Sequence, residues 1–125
     1  MRGAYVDTSY LLAEAFGERA GRPKRRITDF DAVFASRFLE AEYRSAFRRE
    51  EVAPLIELLA PITWIDVGRS LAPELERVLD AGYVRGADCW HLATALSLAP
   101  APEELAFLTF DVRQRAVAKR LGFQV

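Results

Sequence analysis

The sequence is short of the residues from which many functional sites are built. Among its 125 residues, Cys89 is the only cysteine and His91 the only histidine. A single cysteine excludes an internal disulfide framework and a thiolate-rich zinc site, and it favours a reducing compartment. The 17 basic and 18 acidic residues give a formal charge of −1. No global positive field would therefore attract nucleic acid or anionic lipid, and any contact with a polyanion is expected to be local.

Long apolar runs are also missing. No segment approaches the roughly 20 apolar residues that span a bilayer, and residues 1–7 contain no apolar leader before a cleavage site. We therefore expect no membrane segment and a cytoplasmic location. The length suits a single domain over residues 1–125 with one hydrophobic core.

Short apolar segments alternate with helical patterns along the chain. Strands are predicted at residues 4–6, 32–36, 62–67 and 105–110, with a candidate edge strand at 123–125. Helices are predicted at residues 10–16, 37–51, 54–60, 70–81, 87–99 and 112–121. Residues 21–26, which carry glycine, proline and four cations, are predicted as a surface connection. Strands alternating with helices predict right-handed crossovers and an α/β fold, with a parallel sheet covered on both faces.

Four acidic residues lie beside these elements in positions that suit a common site. Asp7 and Asp111 follow predicted strands, Asp88 opens a predicted helix, and Glu42 lies within another. Ligands of an open parallel sheet bind in the crevice outside the carboxyl ends of the strands. If the carboxylates converge there, a cation would offset their repulsion, and oxygen ligands suit Mg²⁺ or Mn²⁺. Because such a cation activates water and neutralises phosphodiester charge, phosphoryl-transfer hydrolysis is the leading reaction class.

Each of these acids also has a purely structural interpretation. Aspartate is a favoured helix N-cap, which would account for Asp7, Asp88 and Asp111 one at a time. Glu42 falls on the apolar side of its predicted helix, where an inward carboxylate needs a cation or a hydrogen-bonding partner. A different helix phase would instead leave Glu42 in solvent.

Four sequence blocks, taken in order, resemble the PIN domain family and most closely its small VapC-type ribonuclease toxins. The blocks are residues 6–12 (VDTSYLL), 41–49 (AEYRSAFRR), 86–95 (GADCWHLATA) and 108–111 (LTFD). Any one block is weakly specific, but the four in this order and at this chain length are fairly specific. The resemblance implies a three-layer α/β/α fold around a central parallel sheet of four to five strands.

The resemblance also implies roles for particular residues. The family's catalytic acids, which hold Mg²⁺ or Mn²⁺, match Asp7, Glu42, Asp88 and Asp111. Glu40 competes with Glu42, but the residues that follow fit the family pattern only if Glu42 is the acid. Similar proteins keep a hydroxyl beside the metal at the positions of Ser9 and Thr109, although both could equally satisfy backbone groups in turns.

The function implied by the resemblance is metal-dependent endoribonuclease activity that leaves a 5′ phosphate and a 3′ hydroxyl. Resemblance to the VapC group further implies a toxin of a type II toxin–antitoxin pair, inhibited by a VapB-like antitoxin whose C-terminal segment occupies the active-site groove, and a homodimer. One alternative is a PIN domain that only binds RNA or protein. Another is a phosphoacceptor receiver domain, which fits poorly because no acidic pair follows the first strand and no lysine closes the last.

Several arginine, histidine and tryptophan side chains have a candidate functional role and a simpler structural one. Arg85, the arginine closest to Asp88 in sequence, is the preferred substrate contact. Arg48, Arg49, Arg113 and Arg115 could add to a cationic rim, although each taken singly is more simply a solvated arginine. His91 is predicted to be a buried, hydrogen-bonded histidine and not a metal ligand. Trp64 and Trp90 are predicted to pack in the core or an interface and not against a base.

Overall fold

Helices cover both faces of an all-parallel, four-stranded sheet in the computed structural model, which describes residues 2–17 and 25–125. The strands are β1 (Gly3–Val6), β2 (Ala32–Ser36), β3 (Ile62–Ile65) and β4 (Leu105–Leu108), and their order in the sheet is β3-β2-β1-β4. The helices are α1 (Thr8–Phe16), α2 (Arg37–Arg49), α3 (Ala72–Ala81), α4 (Gly86–Leu98) and α5 (Val112–Leu121). The predicted three-layer α/β/α fold is confirmed.

The side chains of β1 divide the hydrophobic core between the two faces of the sheet. Because successive strand residues point to opposite faces, Ala4 and Val6 pack in one cluster with Leu39 of α2. Tyr5 packs in the other, with Leu92 of α4. Both faces of this central strand are covered, which explains why β1 is apolar throughout and shows no polar alternation.

Three of the parallel strands are followed, at the same edge of the sheet, by a residue that caps the next helix. Asp7 follows β1, and its Oδ2 accepts a hydrogen bond from the Ser9 amide at 3.1 Å. Ser36 ends β2, and its Oγ accepts from the Phe38 amide at 3.1 Å. Asp111 follows β4, and its Oδ1 accepts from the Gln114 amide at 2.7 Å. Each cap satisfies an amide that the first helical turn leaves without a partner, so polar side chains accumulate at this edge.

Some element boundaries differ from the sequence prediction. The predicted helix at 54–60 is only a 3₁₀ turn, Ile56–Leu59, because the prolines at 54 and 61 leave too few residues to nucleate an α-helix. Strands β3 and β4 end two residues before their predicted ends. The candidate edge strand at 123–125 is reduced to one parallel bridge between Ala106 and Gln124. Of the predicted connection at 21–26, residues 21–24 lie outside the described residues.

Within the described part of the chain, none of the helices has the length and apolar character that a membrane crossing requires.

Candidate active site

An acidic cleft lies at the carboxyl edge of the sheet, between the starts of α1, α4 and α5 and the middle of α2. Its volume is about 380 Å³. The side chains that line it include Asp7, Ser9, Glu42, Arg49, Asp88 and Asp111. The structure thus brings the four predicted acids to one cleft, although they come from four separate parts of the chain.

Asp7 is the most enclosed of the four acids, with 5% of its surface exposed. Its Oδ2 accepts hydrogen bonds from the amide of Ser9 at 3.1 Å and from the hydroxyl of Ser9 at 2.6 Å. Its Oδ1 accepts from Nε2 of the buried Gln114 at 3.4 Å. These donors offset the cost of burying the carboxylate and hold it in one orientation. Ser9 therefore orients Asp7 as well as lining the cleft.

Thr109 supports the site through Gln114. The Thr109 hydroxyl lies 2.6 Å from Oε1 of Gln114 and 3.2 Å from Oδ2 of Asp7. A hydroxyl has one hydrogen to donate, and the shorter distance identifies Gln114 as the acceptor. The hydroxyl oxygen of Thr109 also accepts a hydrogen bond from the Asp111 amide at 3.0 Å. Thr109 thereby links the turn after β4 to the side chain that contacts Asp7.

Glu42 projects from α2 towards the cleft, whereas Glu40 lies on another side of the helix. Oε1 of Glu42 accepts a hydrogen bond from the Thr8 hydroxyl at 2.7 Å and lies 2.9 Å from Nε2 of His91. Burial would raise the pKa of Glu42, but the hydrogen bonds from His91 and Thr8 outweigh burial and lower it. Glu40 instead pairs with Arg44 at 3.1 Å and with Arg37 at 3.6 Å. The geometry agrees with the choice of Glu42 over Glu40.

Asp88 is half-buried near the start of α4 and is the least supported of the four carboxylates. Neither of its oxygens accepts a hydrogen bond from another of the described residues. Burial raises the pKa of Asp88, and the charges of Asp7, Asp111 and Glu42 raise it further. The ionised form of Asp88 is therefore held in the cleft at an energetic cost to the fold.

The remaining predicted residues occupy the rim. Asp111 is exposed and lines the cleft while capping α5 through Oδ1. Arg85 is exposed immediately before α4 but does not line the cleft, whereas Arg49 does. Arg115 lies 2.9 Å from the Thr109 carbonyl, to which it donates through Nη2. Among the arginines considered from sequence, Arg49 is thus the best placed to meet a substrate in the cleft.

The donor chemistry of the cleft fits a hard divalent cation. All four acids offer carboxylate oxygens, the ligands preferred by Mg²⁺ and Mn²⁺. Burial, and then the charges of the neighbouring acids, raise the pKa of Asp88, and a bound cation would offset both effects. Within residues 2–17 and 25–125, no three side chains among the histidine, cysteine, aspartate and glutamate residues already surround one point at coordinating distance. The carboxylates share the cleft without being closed around a cation.

Sequence reasoning missed two of the supporting side chains and understated a third. Thr8 and Gln114 were given no role, and His91 was predicted only to be buried and hydrogen-bonded, which the structure confirms. Gln114 stands three residues after the helix cap Asp111, the spacing of a capping box. That signal could have identified Gln114 as a polar residue near the cap, but not its contact with Asp7, which is 107 residues away in the chain.

An apolar groove of about 680 Å³ adjoins the acidic cleft along the same edge of the sheet. It is lined in part by Ser36, Phe38, Ala41, Ala87 and Trp90. Phe38 and Trp90 are 43% and 38% exposed, and the indole of Trp90 donates to the Ser36 hydroxyl at 2.9 Å. Because Ala41 and Ala87 directly precede Glu42 and Asp88 in the chain, the groove and the cleft share the walls formed by α2 and α4.

Comparison with known proteins identifies one family. The model of the PIN domain family matches residues 4–120, a range that begins in β1, ends in α5 and contains all four acids. No curated protein and no solved structure gave a significant match.

Proposed function

This chain belongs to the PIN domain family, and we propose that it is an endoribonuclease dependent on Mg²⁺ or Mn²⁺. PIN domains are generally nucleases that use a divalent metal. The observation that carries the proposal is the convergence of Asp7, Glu42, Asp88 and Asp111 on one cleft. The receiver-domain alternative is set aside because the matched family is a different one.

Within this proposal the acids hold the cation and the neighbouring groups hold the acids. Asp7, Glu42, Asp88 and Asp111 are the proposed ligands. When bound, a divalent cation supplies activation of water and neutralisation of charge on the phosphodiester. Ser9 keeps Asp7 in position, and Thr109 does so indirectly through Gln114. The arrangement leaves both oxygens of Asp88 without protein donors among the described residues, so they are accessible to a cation.

The direct test is cleavage of labelled RNA by the purified chain with Mg²⁺, with Mn²⁺ and with EDTA. We expect cleavage only with metal, and products with a 5′ phosphate and a 3′ hydroxyl. Glu42→Gln should lower the rate by a factor on the order of 10². Glu40→Gln is the matched control, because Glu40 lies on the same helix but pairs with Arg37 and Arg44 away from the cleft. Absence of cleavage by the parent chain on any RNA would favour a binding module over an enzyme.

Arg49 is the proposed phosphate contact at the rim, in preference to Arg85. Replacing Arg49 with glutamine should raise KM for RNA about fivefold with little change in kcat, because one exposed charge contact is lost. The slope of log KM against the logarithm of the salt concentration should also fall by about one, which is the contribution of one phosphate contact. Steady-state kinetics at several salt concentrations measure both effects. Arg44→Gln is the control, since Arg44 lies on the same helix but does not line the cleft. An equal rise in KM for both variants would argue against a specific role of Arg49.

The finer biological role proposed is that of a VapC-type toxin in the cytoplasm, a single domain over residues 1–125. Its partners would be RNA, a VapB-like antitoxin and a second copy of the chain. The apolar groove beside the acidic cleft favours the proposal that an antitoxin segment covers groove and cleft together. Phe38 and Trp90 present apolar surface to such a segment next to the carboxylates. An antitoxin reading frame adjacent to the gene would support this role.

A further inference from the structure

His91 is fully buried and contacts both a core residue, Tyr5, and an acid of the cleft, Glu42. Its side chain is on α4 and is 0% exposed. Nδ1 lies 2.8 Å from the hydroxyl of Tyr5, which is also fully buried. Nε2 lies 2.9 Å from Oε1 of Glu42. An imidazole in an apolar core is costly unless its nitrogens have partners, and here both do.

The hydrogen bonds around His91 determine which nitrogen carries the proton. The Ser36 amide donates to the Tyr5 oxygen at 3.1 Å, so that oxygen already accepts one bond. Burial holds the pKa of Tyr5 far above its usual range, so its hydroxyl keeps its hydrogen. The Glu42 carboxylate opposite Nε2 can only accept, which leaves Nδ1, 2.8 Å from the Tyr5 hydroxyl, as the acceptor of that hydrogen. Nε2–H is consequently the donor that faces Glu42.

The same geometry leaves one oxygen of Glu42 for a ligand. Oε1 receives hydrogen bonds from His91 and, at 2.7 Å, from the Thr8 hydroxyl. Oε2 accepts none from the described residues. Nε2 of His91 is 3.9 Å from Oδ1 of Asp7, beyond hydrogen-bonding distance, so its single proton is directed to Glu42. A glutamate side chain has several rotatable bonds, and these two donors select one orientation.

We propose that the buried Tyr5–His91 pair is a positioning device that holds Glu42 in the cleft with Oε2 directed to a divalent cation. The inference rests on the proposed function in that Glu42 is taken as a cation ligand. His91 acts through Glu42 and touches neither cation nor RNA. Partners of this kind orient ligands of a metal, and their loss weakens metal affinity by about 10- to 100-fold.

Mn²⁺ affinity of the RNA-free protein, measured from the electron paramagnetic resonance of free Mn²⁺, tests the proposal without reference to cleavage. His91→Leu should weaken binding by about 10- to 100-fold. His91→Gln keeps a side-chain N–H donor and should recover most of the affinity. Tyr5→Phe removes the hydroxyl that sets the tautomer and should give a smaller loss in the same direction. Parent affinity in His91→Leu would overturn the proposal.

A double-mutant cycle separates positioning from a general effect on the fold. In a Glu42→Gln background, His91→Leu should have no further effect on Mn²⁺ affinity, because the group that it orients is already lost. An undiminished loss in that background would show that His91 acts on the whole protein and would overturn the proposal. Circular dichroism of each variant establishes that it is folded.

A metal-free measurement keeps the inference distinct from the proposed function. In a crystal structure of metal-free His91→Leu, the Glu42 carboxylate should leave its position beside Thr8. Nitrogen NMR of the parent should show a proton on Nε2 of His91. An unmoved Glu42, or a His91 without a proton on Nε2, would refute the positioning role. Failure of the parent chain to bind Mn²⁺ or cleave RNA would instead refute the proposed function.

Discussion

Asp88→Asn is expected to lower the rate of RNA cleavage strongly while leaving the fold as stable as before or more stable. The carboxylate of Asp88 accepts no hydrogen bond from the described residues, so the amide leaves no donor without a partner. Its raised pKa shows that burial and the neighbouring acids disfavour the charge. Loss of a carboxylate from the proposed cation site should lower the cleavage rate by a factor on the order of 10² to 10³. The free energy of unfolding should rise by up to about 1 kcal/mol, a gain that partial exposure to solvent limits.

The stability gain should depend on pH in a defined direction. Since the pKa of Asp88 is higher in the folded than in the unfolded state, its ionisation costs stability above the folded pKa and costs nothing below the unfolded pKa. Asp88→Asn should therefore exceed the parent in stability at neutral pH and approach it as the pH falls through that interval. Urea unfolding at several pH values measures the difference.

Stabilisation by Mn²⁺ should distinguish the two proteins in the opposite direction, because only the parent keeps the carboxylate of Asp88. A cation that binds only the folded state should stabilise the parent by about 2.7 kcal/mol at a concentration 100 times Kd. Asp88→Asn should gain much less at the same concentration. If Asp88→Asn cleaved RNA at the parent rate, or if Mn²⁺ stabilised both proteins equally, the assignment of Asp88 to a cation site would be wrong.

Asp7→Ala is expected to lose both cleavage and stability, in contrast to Asp88→Asn. The carboxylate of Asp7 caps α1 through the Ser9 amide and accepts from the buried Gln114 side chain. Removing it costs a helix cap, about 1 kcal/mol, and leaves buried donors with fewer acceptors, about 1–3 kcal/mol. We therefore expect a total destabilisation of about 2–4 kcal/mol.

Two further variants resolve the double role of Asp7. Asp7→Asn keeps one acceptor oxygen, which can still cap α1 at Ser9, but its NH2 group would face the Nε2 donor of Gln114. It should therefore recover the helix cap and only part of the stability, and not the cleavage. Asp111→Ala removes the cap of α5 together with a proposed cation ligand, but among the described residues only the Gln114 amide loses an acceptor, so it should cost only about 1 kcal/mol of stability. Urea unfolding and RNA cleavage assays measure the two effects separately. A stable Asp7→Ala protein would show that the hydrogen bonds to this carboxylate contribute little to the fold.

The elements of the fold were predictable because their signals are local. The apolar segment at 4–6 and the capping and terminating residues Asp111 and Gly122 each act within a few positions, and β1 and α5 form where those signals predict. Gly122 ends α5 with a φ of 106°, a left-handed conformation that glycine adopts without strain. The helix predicted at 54–60 forms only as a 3₁₀ turn, because the segment from Pro54 to the stop at Pro61 is too short to nucleate an α-helix.

The candidate site was predictable only in part. Its four acids could be selected from positions at strand ends and helix starts and from the family pattern, and the structure gathers them in one cleft. Their role as cation ligands stays a prediction. Local pattern alone could not decide between Glu40 and Glu42, because two residues on one helix differ by its phase, and the phase is set by what α2 packs against.

By itself, the sequence determined the order of strands and helices, the polar residues at strand ends and the shortage of cysteine and histidine that leaves carboxylates as the available ligands. Only the tertiary structure decided which groups meet. Tyr5 and His91 are 86 residues apart and His91 and Glu42 are 49 apart, yet each pair forms a hydrogen bond. The reason is physical: propensity and capping act over a few residues, whereas these bonds form only after β1, α2 and α4 have packed around one sheet.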